Sequence, residues 1–349
     1  MKQNKPSQFG GKIEERHLKK YQQSPNWRDG KFQNFIETKL SFSPFIIPRI
    51  IYKQLTNVAK RAPQKPIEVD TPSFDLFMEK DFSMVWFGHS VILMRIAGKT
   101  LLIDPMFGPT AAPIMPGGPK RFSPQMLDMI DKLPEIDLVL FTHDHYDHLD
   151  LESVLKIKGK VGQYFVALGV ARHLEAWGVS ESQIQEFDWW DTHPFEQINI
   201  TFTPTRHFAG RGAFDRQKSL WGGWVFDFGG KKIWFSGDGG YGDHFKEVGR
   251  RLGPFDFGLM ECGQYNDDWR PVHLFPDESV QAAIDAGVQK IMPVHWGGFS
   301  LSYQHGWKEP AEAFAKEAEN AGLPTIFPRI GEVFNVDQLS EKHWWAGLD

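Results

Sequence analysis

The feature that most constrains this chain is an apolar run that stops in a crowd of metal-ligand side chains, "LVLFTHDHYDHLDL" at residues 138–151. Residues 136–142, "IDLVLFT", are almost continuously apolar, the pattern of a strand buried on both faces. His143, His145, Asp147 and His148 follow directly. In extended chain, side chains two apart point the same way, so His143 and His145 can face one ion. The chain then turns, and Asp147 and His148 can face a neighbouring point. Imidazole with carboxylate suits zinc, whereas magnesium or calcium calls for oxygen alone.

Four ligands do not complete two metal sites, and the rest come in like positions. "INITFTPTRH" ends a predicted strand with His207, "KKIWFSGD" with Asp238, and "KIMPVH" with His295. Each apolar strand delivers a ligand type at its C-terminal end, which is how a rigid scaffold assembles a metal site. A polar loop of solvated histidines is the bland alternative, and it does not account for the three later ligands.

The remaining pattern is strands with helices interspersed. "SMVWFG", "VILMRIAG", "KTLLIDP", "GQYFVAL", "WGGWVFDFGG" and "DFGLME" read as further strands. Helices are predicted at about 244–251, 277–286 and 309–321, and in "DLESVLKI" with Asp150 as its N-cap. Two sheets packed together with helices outside accommodate this order. No repeat and no Gly-rich phosphate loop is visible. Residues 1–67 read as an N-terminal extension and 68–349 as the main domain. The extension begins as a polar, partly mobile arm to about residue 38. Residues 38–67 carry Lys39, Arg49, Lys53, Lys60, Arg61 and Lys65 among apolar residues and no acid, so they either pack on the domain or touch an anionic membrane.

Bulk properties exclude some classes. A net charge of -5 argues against nucleic acid as partner. One cysteine, Cys262, rules out an internal disulfide and a cysteine-based zinc site. The first residues lack the apolar core of a signal peptide, and a cytoplasmic location is expected, with peripheral membrane contact as a variant. A homodimer is neither required nor excluded.

The spaced ligands resemble those of the metallo-β-lactamase-fold hydrolases, whose signature is His-x-His-x-Asp-His followed by a later His, Asp and His. The likeness covers about residues 82–332. It implies an α/β (α+β) fold, a four-layer αββα sandwich with the metals at one edge of the two sheets. The blocks "WFGHSVILM", "LLIDPMF", "GPKRFSP", "LWGGWV", "GDGGYGDHF", "GPFDFGLMECGQY" and "VHWGGF" further resemble the branch containing the N-acyl-phosphatidylethanolamine-hydrolysing phospholipase D. Sugar-lactone hydrolases share them in part. By position, the resemblance implies that His143, His145 and His207 hold one zinc, that Asp147, His148 and His295 hold the other, and that Asp238 bridges both.

The chemistry expected is hydrolysis by a hydroxide bridging two Zn²⁺. Two such ions against Asp147, Asp238 and one hydroxide leave the inner site about +1, which welcomes a phosphoryl oxygen or an oxyanion. A zinc phosphodiesterase of phospholipase D type acting on N-acylated phospholipids is the first reading. A lactone or other carbonyl-ester hydrolase on the same site is the second. A non-enzymatic metal-binding partner protein is the third, and its mark, a missing ligand, is absent. With Asp147, His273 and His305 are the candidate catalytic groups. His89, Lys120, Arg121 and Tyr146 are candidates for orienting ligands or contacting substrate. Trp221, Trp296 and Phe299 either wall an acyl groove or pack in the core.

Overall fold

The apolar runs become strands because each can be buried between neighbours. The computed structural model describes residues 6–38, 52, 56, 60–112, 118–212, 214–337 and 343–348. A short hairpin, β1 (Trp27–Arg28) and β2 (Lys31–Phe32), precedes two sheets. One sheet holds β3 (Ser83–Trp86), β4 (Ile92–Ile96), β5 (Lys99–Ile103), β6 (Ile136–Phe141), β7 (Val161–Ala167), β8 (Ile184–Phe187) and β15 (Val333–Asn335), in the order β15-β3-β4-β5-β6-β7-β8. The other holds β9 (Thr192–Phe195), β10 (Ile198–Thr203), β11 (Gly223–Phe228), β12 (Lys231–Phe235), β13 (Phe257–Glu261) and β14 (Ile291–Val294), in the order β14-β13-β12-β11-β10-β9. With helices flanking both sheets, this is the expected αββα sandwich.

Strand direction decides where the site forms. β3 and β5 each pair antiparallel with β4, and β5 pairs parallel with β6, so β3, β5 and β6 run the same way. In the second sheet β10 and β12 are both antiparallel to β11, and β12, β13 and β14 are parallel, so these four also share a direction. Every strand that ends in a candidate ligand therefore ends on the same edge of its sheet. β6 lies between β5 and β7 and is parallel to both; Leu138, Val139, Leu140 and Phe141 are fully buried.

The predicted helices form at His244–Leu252, Pro276–Asp285 and Glu309–Ala321, the last closed by Gly322 in the left-handed region (φ 65°). The helix Leu151–Ile157 starts as expected, with the Asp150 carboxylate accepting from the Ser153 N–H at 2.8 Å.

Residues 6–38 lie against the domain. Tyr21, Trp27 and Phe32 form an aromatic cluster with centroids 4.9–5.5 Å apart, and Tyr21 and Phe32 are fully buried. Their polar neighbours conceal these anchors in the composition. Most of the basic, apolar stretch 38–67, for which membrane contact or packing is expected, falls outside the described residues. Among the described residues no helix is long and apolar enough to cross a membrane.

Candidate metal centre

The seven sequence-predicted ligands converge where the two strand edges meet. His143, His145 and His207 form one group of donor atoms, and Asp147, His148 and His295 fall in a second together with His89. Asp238 lies between them: its Oδ2 is 3.1 Å from His148 Nε2, 3.0 Å from His295 Nε2 and 4.0 Å from His143 Nε2. All are buried except His145, which is half-buried at the rim.

Hydrogen bonds on the far side of each ring fix which nitrogen faces inward. The Thr142 hydroxyl donates to Asp104 Oδ2 at 2.7 Å, so it accepts the Nδ1–H of His143 at 3.0 Å. His207 donates its Nδ1–H to the Val272 carbonyl at 2.8 Å. Both leave a bare Nε2, and these lie 2.9 Å and 3.2 Å from His145 Nδ1. One proton on His145 can satisfy only one of them, whereas a cation satisfies all three. His148 donates its Nδ1–H to Asp104 at 2.8 Å, so its Nε2 faces the Asp238 carboxylate. His295 has Nδ1 directed at the Gly263 carbonyl (3.4 Å), and its Nε2 faces Asp147 Oδ2 at 3.1 Å. Each Nε2 that meets a carboxylate needs positive charge on its side, whether a proton or a bound cation, so this donor set fits a cation.

The electrostatics divide the site. Burial, then His148 and the other rings, holds His143 well below the usual histidine value. Burial likewise lowers His145 and, with His145, lowers His207. Burial also opposes charge on His148 and His295, but the carboxylates, Asp238 foremost, outweigh it and raise both well above the usual value. Burial opposes ionisation of Asp147 and Asp238; the histidines, led by His148, outweigh it and keep both carboxyls well below their usual range. One half of the site is thus a neutral imidazole trio, and the other is acidic.

His89 meets Asp147. Burial, reinforced by His295, lowers its pKa to about 3, so the neutral ring donates Nε2–H to Asp147 Oδ2 at 3.0 Å. The His89 N–H donates to the Trp296 carbonyl at 2.7 Å, and the His89 carbonyl accepts the His295 N–H at 3.0 Å. His89, Asp104 and His295 all sit at positive φ (56°, 43° and 67°). Such conformations cost about 1–3 kcal/mol each and persist where surrounding structure enforces them.

Of the other candidates, His273 joins the cluster. It is half-buried, its Nδ1 is 2.5 Å from Glu261 Oε1, and its ring is 5.0 Å from that of His207 and stacked at 5.4 Å on that of His295. His305 is buried further out against Tyr265, and among the described residues no hydrogen bond or ring contact joins it to a ligand. Arg121 does not reach the centre. Its guanidinium bonds the carbonyls of Gly108 (3.2 Å), Phe87 (3.4 Å) and Met106 and covers the Phe299 ring at 4.5 Å. Lys120 is exposed beside it. Tyr146 packs under the Arg211 guanidinium at 4.0 Å. Trp221 and Trp296 are fully enclosed, Trp221 bonding Asn34 and Trp296 stacking among Trp86, Trp344 and Trp345. Phe299 is buried, edge-on to His89 at 5.3 Å. Of the two alternatives for these aromatics, groove wall or core, the structure buries all three: Trp221 packs on Trp189, Trp296 on Trp86, Trp344 and Trp345, and Phe299 on His89.

Four supporting residues escaped the sequence reading. Asp104 follows β5 and Glu261 ends β13, the same signal that marked the candidate ligands. Asp144 is fully buried and accepts from Ser219 Oγ and Gly210 N, both at 2.7 Å. Asn34 accepts the His207 N–H at 3.2 Å and donates to its carbonyl at 2.8 Å. No motif surrounds Asn34 that would have marked it.

Residues 99–296 match the family model of the β-lactamase superfamily domain. The chain belongs to this superfamily. An uncharacterized protein of Mycobacterium tuberculosis is 34% identical over 334 residues, covering 93% of this chain and 88% of its own. An N-acyl-phosphatidylethanolamine-hydrolyzing phospholipase D of Caenorhabditis elegans is 30% identical over 250 residues, covering 68% of this chain and 70% of its own. A metallo hydrolase of Ignicoccus hospitalis has the same fold, with a TM-score of 0.57 at 19% identity over 72% of this chain and 97% of that one. This superfamily member is a metal-dependent hydrolase of metallo-β-lactamase fold.

Proposed function

We propose that the chain is a zinc-dependent phosphodiesterase of phospholipase D type, acting on N-acylated phosphatidylethanolamine-like phospholipids. The observation that carries this reading is the pair of donor groups that share Asp238. In this reading His143, His145 and His207 would hold one ion and Asp147, His148 and His295 the other, with Asp238 available to both. Bound there, the ions supply Lewis acidity towards a phosphoryl oxygen and hydroxide near neutral pH.

The chain's own residues do the rest. His89 and Asp104 hold Asp147, His148 and His143 in the orientation the ions require. His273 stands half-buried between His207 and His295, with Glu261 behind it, and is the group to hold a proton for the leaving oxygen. The lipid substrate is supported by the name of the C. elegans relative and not by the buried tryptophans.

The test is a substrate panel on the zinc-loaded protein: N-acyl-phosphatidylethanolamine, a simple phosphodiester, a sugar lactone and a β-lactam. Phosphatidic acid released from the first supports the reading. Turnover of the lactone with none of either phosphodiester would replace it with a carbonyl-ester hydrolase.

A further inference from the structure

The loop that carries His145, Asp147 and His148 is held by a side chain outside the ligand set. Arg211 is 3% exposed. Its Nη1 donates to the carbonyls of Asp144 (2.7 Å) and Leu149 (2.6 Å), the residues on either side of those three ligands. Its Nε and Nη2 donate to the Gln8 carbonyl at 3.0 and 2.8 Å. The guanidinium lies over the rings of Tyr146 at 4.0 Å and Trp177 at 5.2 Å.

Arg211 is itself fixed. The Asp215 carboxylate accepts its main-chain N–H at 3.1 and 3.2 Å, and the Tyr146 hydroxyl donates to its carbonyl. One residue earlier, the Gly210 N–H donates to Asp144 Oδ1 at 2.7 Å. The segment that follows His207 is therefore joined to the loop 143–149 at two adjacent points.

The loop needs such a hold. Residues 143–149 lie outside every strand, and inside the loop the His148 and Leu149 N–H groups turn back to the His145 carbonyl at 3.1 and 2.8 Å. His145 belongs to one donor group, Asp147 and His148 to the other. The shape of the loop thus decides how far apart the two groups stand. Taking a guanidinium out of water is costly, and its planar fork offsets that cost only against acceptors that keep their places.

We propose that Arg211 is a positioning residue for the metal centre: by gripping both ends of the loop and tying it to the His207 segment, it sets the separation of the two donor groups. The role rests on the ligand set read above, and not on the substrate assigned to it.

The test compares the protein with its Arg211→Met, Arg211→Lys and Asp215→Ala variants. Zinc affinity is measured by equilibrium dialysis, ligand geometry by the d–d absorption of the cobalt(II) form, and stability by urea unfolding of the metal-free protein. Zinc affinity per folded chain should fall about 10–100-fold in Arg211→Met, the usual effect of losing a group that orients metal ligands. Arg211→Lys, which keeps the charge without the fork, should lose less. The cobalt band should shift in both. Asp215→Ala leaves the guanidinium and every ligand in place and frees only the main chain around Arg211, so it should move both readouts in the same direction even where Arg211→Met does not fold. Lower urea stability with unchanged zinc affinity and cobalt spectrum, in every variant that folds, would make Arg211 a structural residue and overturn the proposal. A parent protein that takes up no zinc would overturn the ligand set and this role with it. Failure to hydrolyse N-acyl phospholipid alters none of these readouts, so the substrate reading falls separately.

Discussion

Asp104 accepts the Nδ1–H of His148 at 2.8 Å, and through the Thr142 hydroxyl it also orients His143. One fully buried carboxylate thus sets a ring in each half of the candidate centre. Its other oxygen contributes as well: Asp104 Oδ1 accepts the Thr142 N–H at 2.8 Å, tying the end of β5 to the end of β6. The two halves are therefore braced by the same sheet edge, which favours a fixed separation between them.

Asp104→Asn tests that brace. An amide can turn its NH₂ towards His148, which would force the ring to present its lone pair outward and its proton inward. Zinc affinity or turnover should fall about 10–100-fold, the usual cost of losing a partner behind a metal ligand. Zinc content after dialysis and initial rates measure this, and an unchanged zinc content with full turnover refutes the role.

Asp147→Asn addresses the ligand itself. The amide oxygen can still accept from His89, so the local hydrogen bond and the fold should survive. The negative charge facing His295 and His148 is lost. Turnover should drop by at least about 100-fold, equivalent to about 2.7 kcal/mol of transition-state stabilisation. Circular dichroism should be unaltered, and zinc content should be measured alongside.

Acid should empty the two halves at different pH. His148 and His295 have raised pKa values, so in the metal-free protein they bind protons well above the ordinary histidine value, and an ion on that side must displace them. His143, His145 and His207 are lowered, so protons do not compete there until the pH lies below that value. As pH falls, the ion held by Asp147, His148 and His295 should leave first. Zinc per chain, measured by equilibrium dialysis between about pH 8 and 5, should step from two to one before reaching zero. Loss of both in a single step contradicts the division.

The clustering of the candidate ligands was legible in the sequence because the four groups each follow an apolar strand, and a buried strand fixes where the chain beyond it emerges. Asp104 and Glu261 carried the same mark, yet a lone acid after a strand is too common to stand out. The short strands β8, β9 and β15 were missed because all but Phe187 and Phe334 of their residues are half-exposed or exposed and they show no apolar run. Asn34 was illegible for another reason: it lies 173 residues from His207, and no local pattern reports a contact of that span. For the aromatics the sequence left pocket wall and core both open, since composition cannot tell one from the other; Trp221, Trp296 and Phe299 are buried.

Trp296 accordingly belongs to stability. It is 1% exposed and packs on Trp86, Trp344 and Trp345. Trp296→Ala should cost about 3–5 kcal/mol of folding free energy. Trp296→Phe should lose less and leave any preference for acyl-chain length unaltered. Urea unfolding and a chain-length series check the two statements; a shifted length preference in the Phe variant would restore the groove.

Glu261→Gln probes the proton-handling group. Glu261 Oε1 holds His273 Nδ1, while Oε2 accepts the Gly239 N–H at 2.9 Å, next to Asp238. A glutamine can keep the Gly239 bond with its oxygen, but its NH₂ then meets His273, which must accept at Nδ1 and carry its proton on Nε2. The ring stays in place with its protonation reversed. We expect kcat to fall about 10–100-fold with KM little changed, and the pH profile of kcat to shift. His273→Ala should cost as much, and the double variant no more than either alone, because both act through one ring. Additive losses would mean that Glu261 works through His295, whose Nδ1 is 3.5 Å away, rather than through His273.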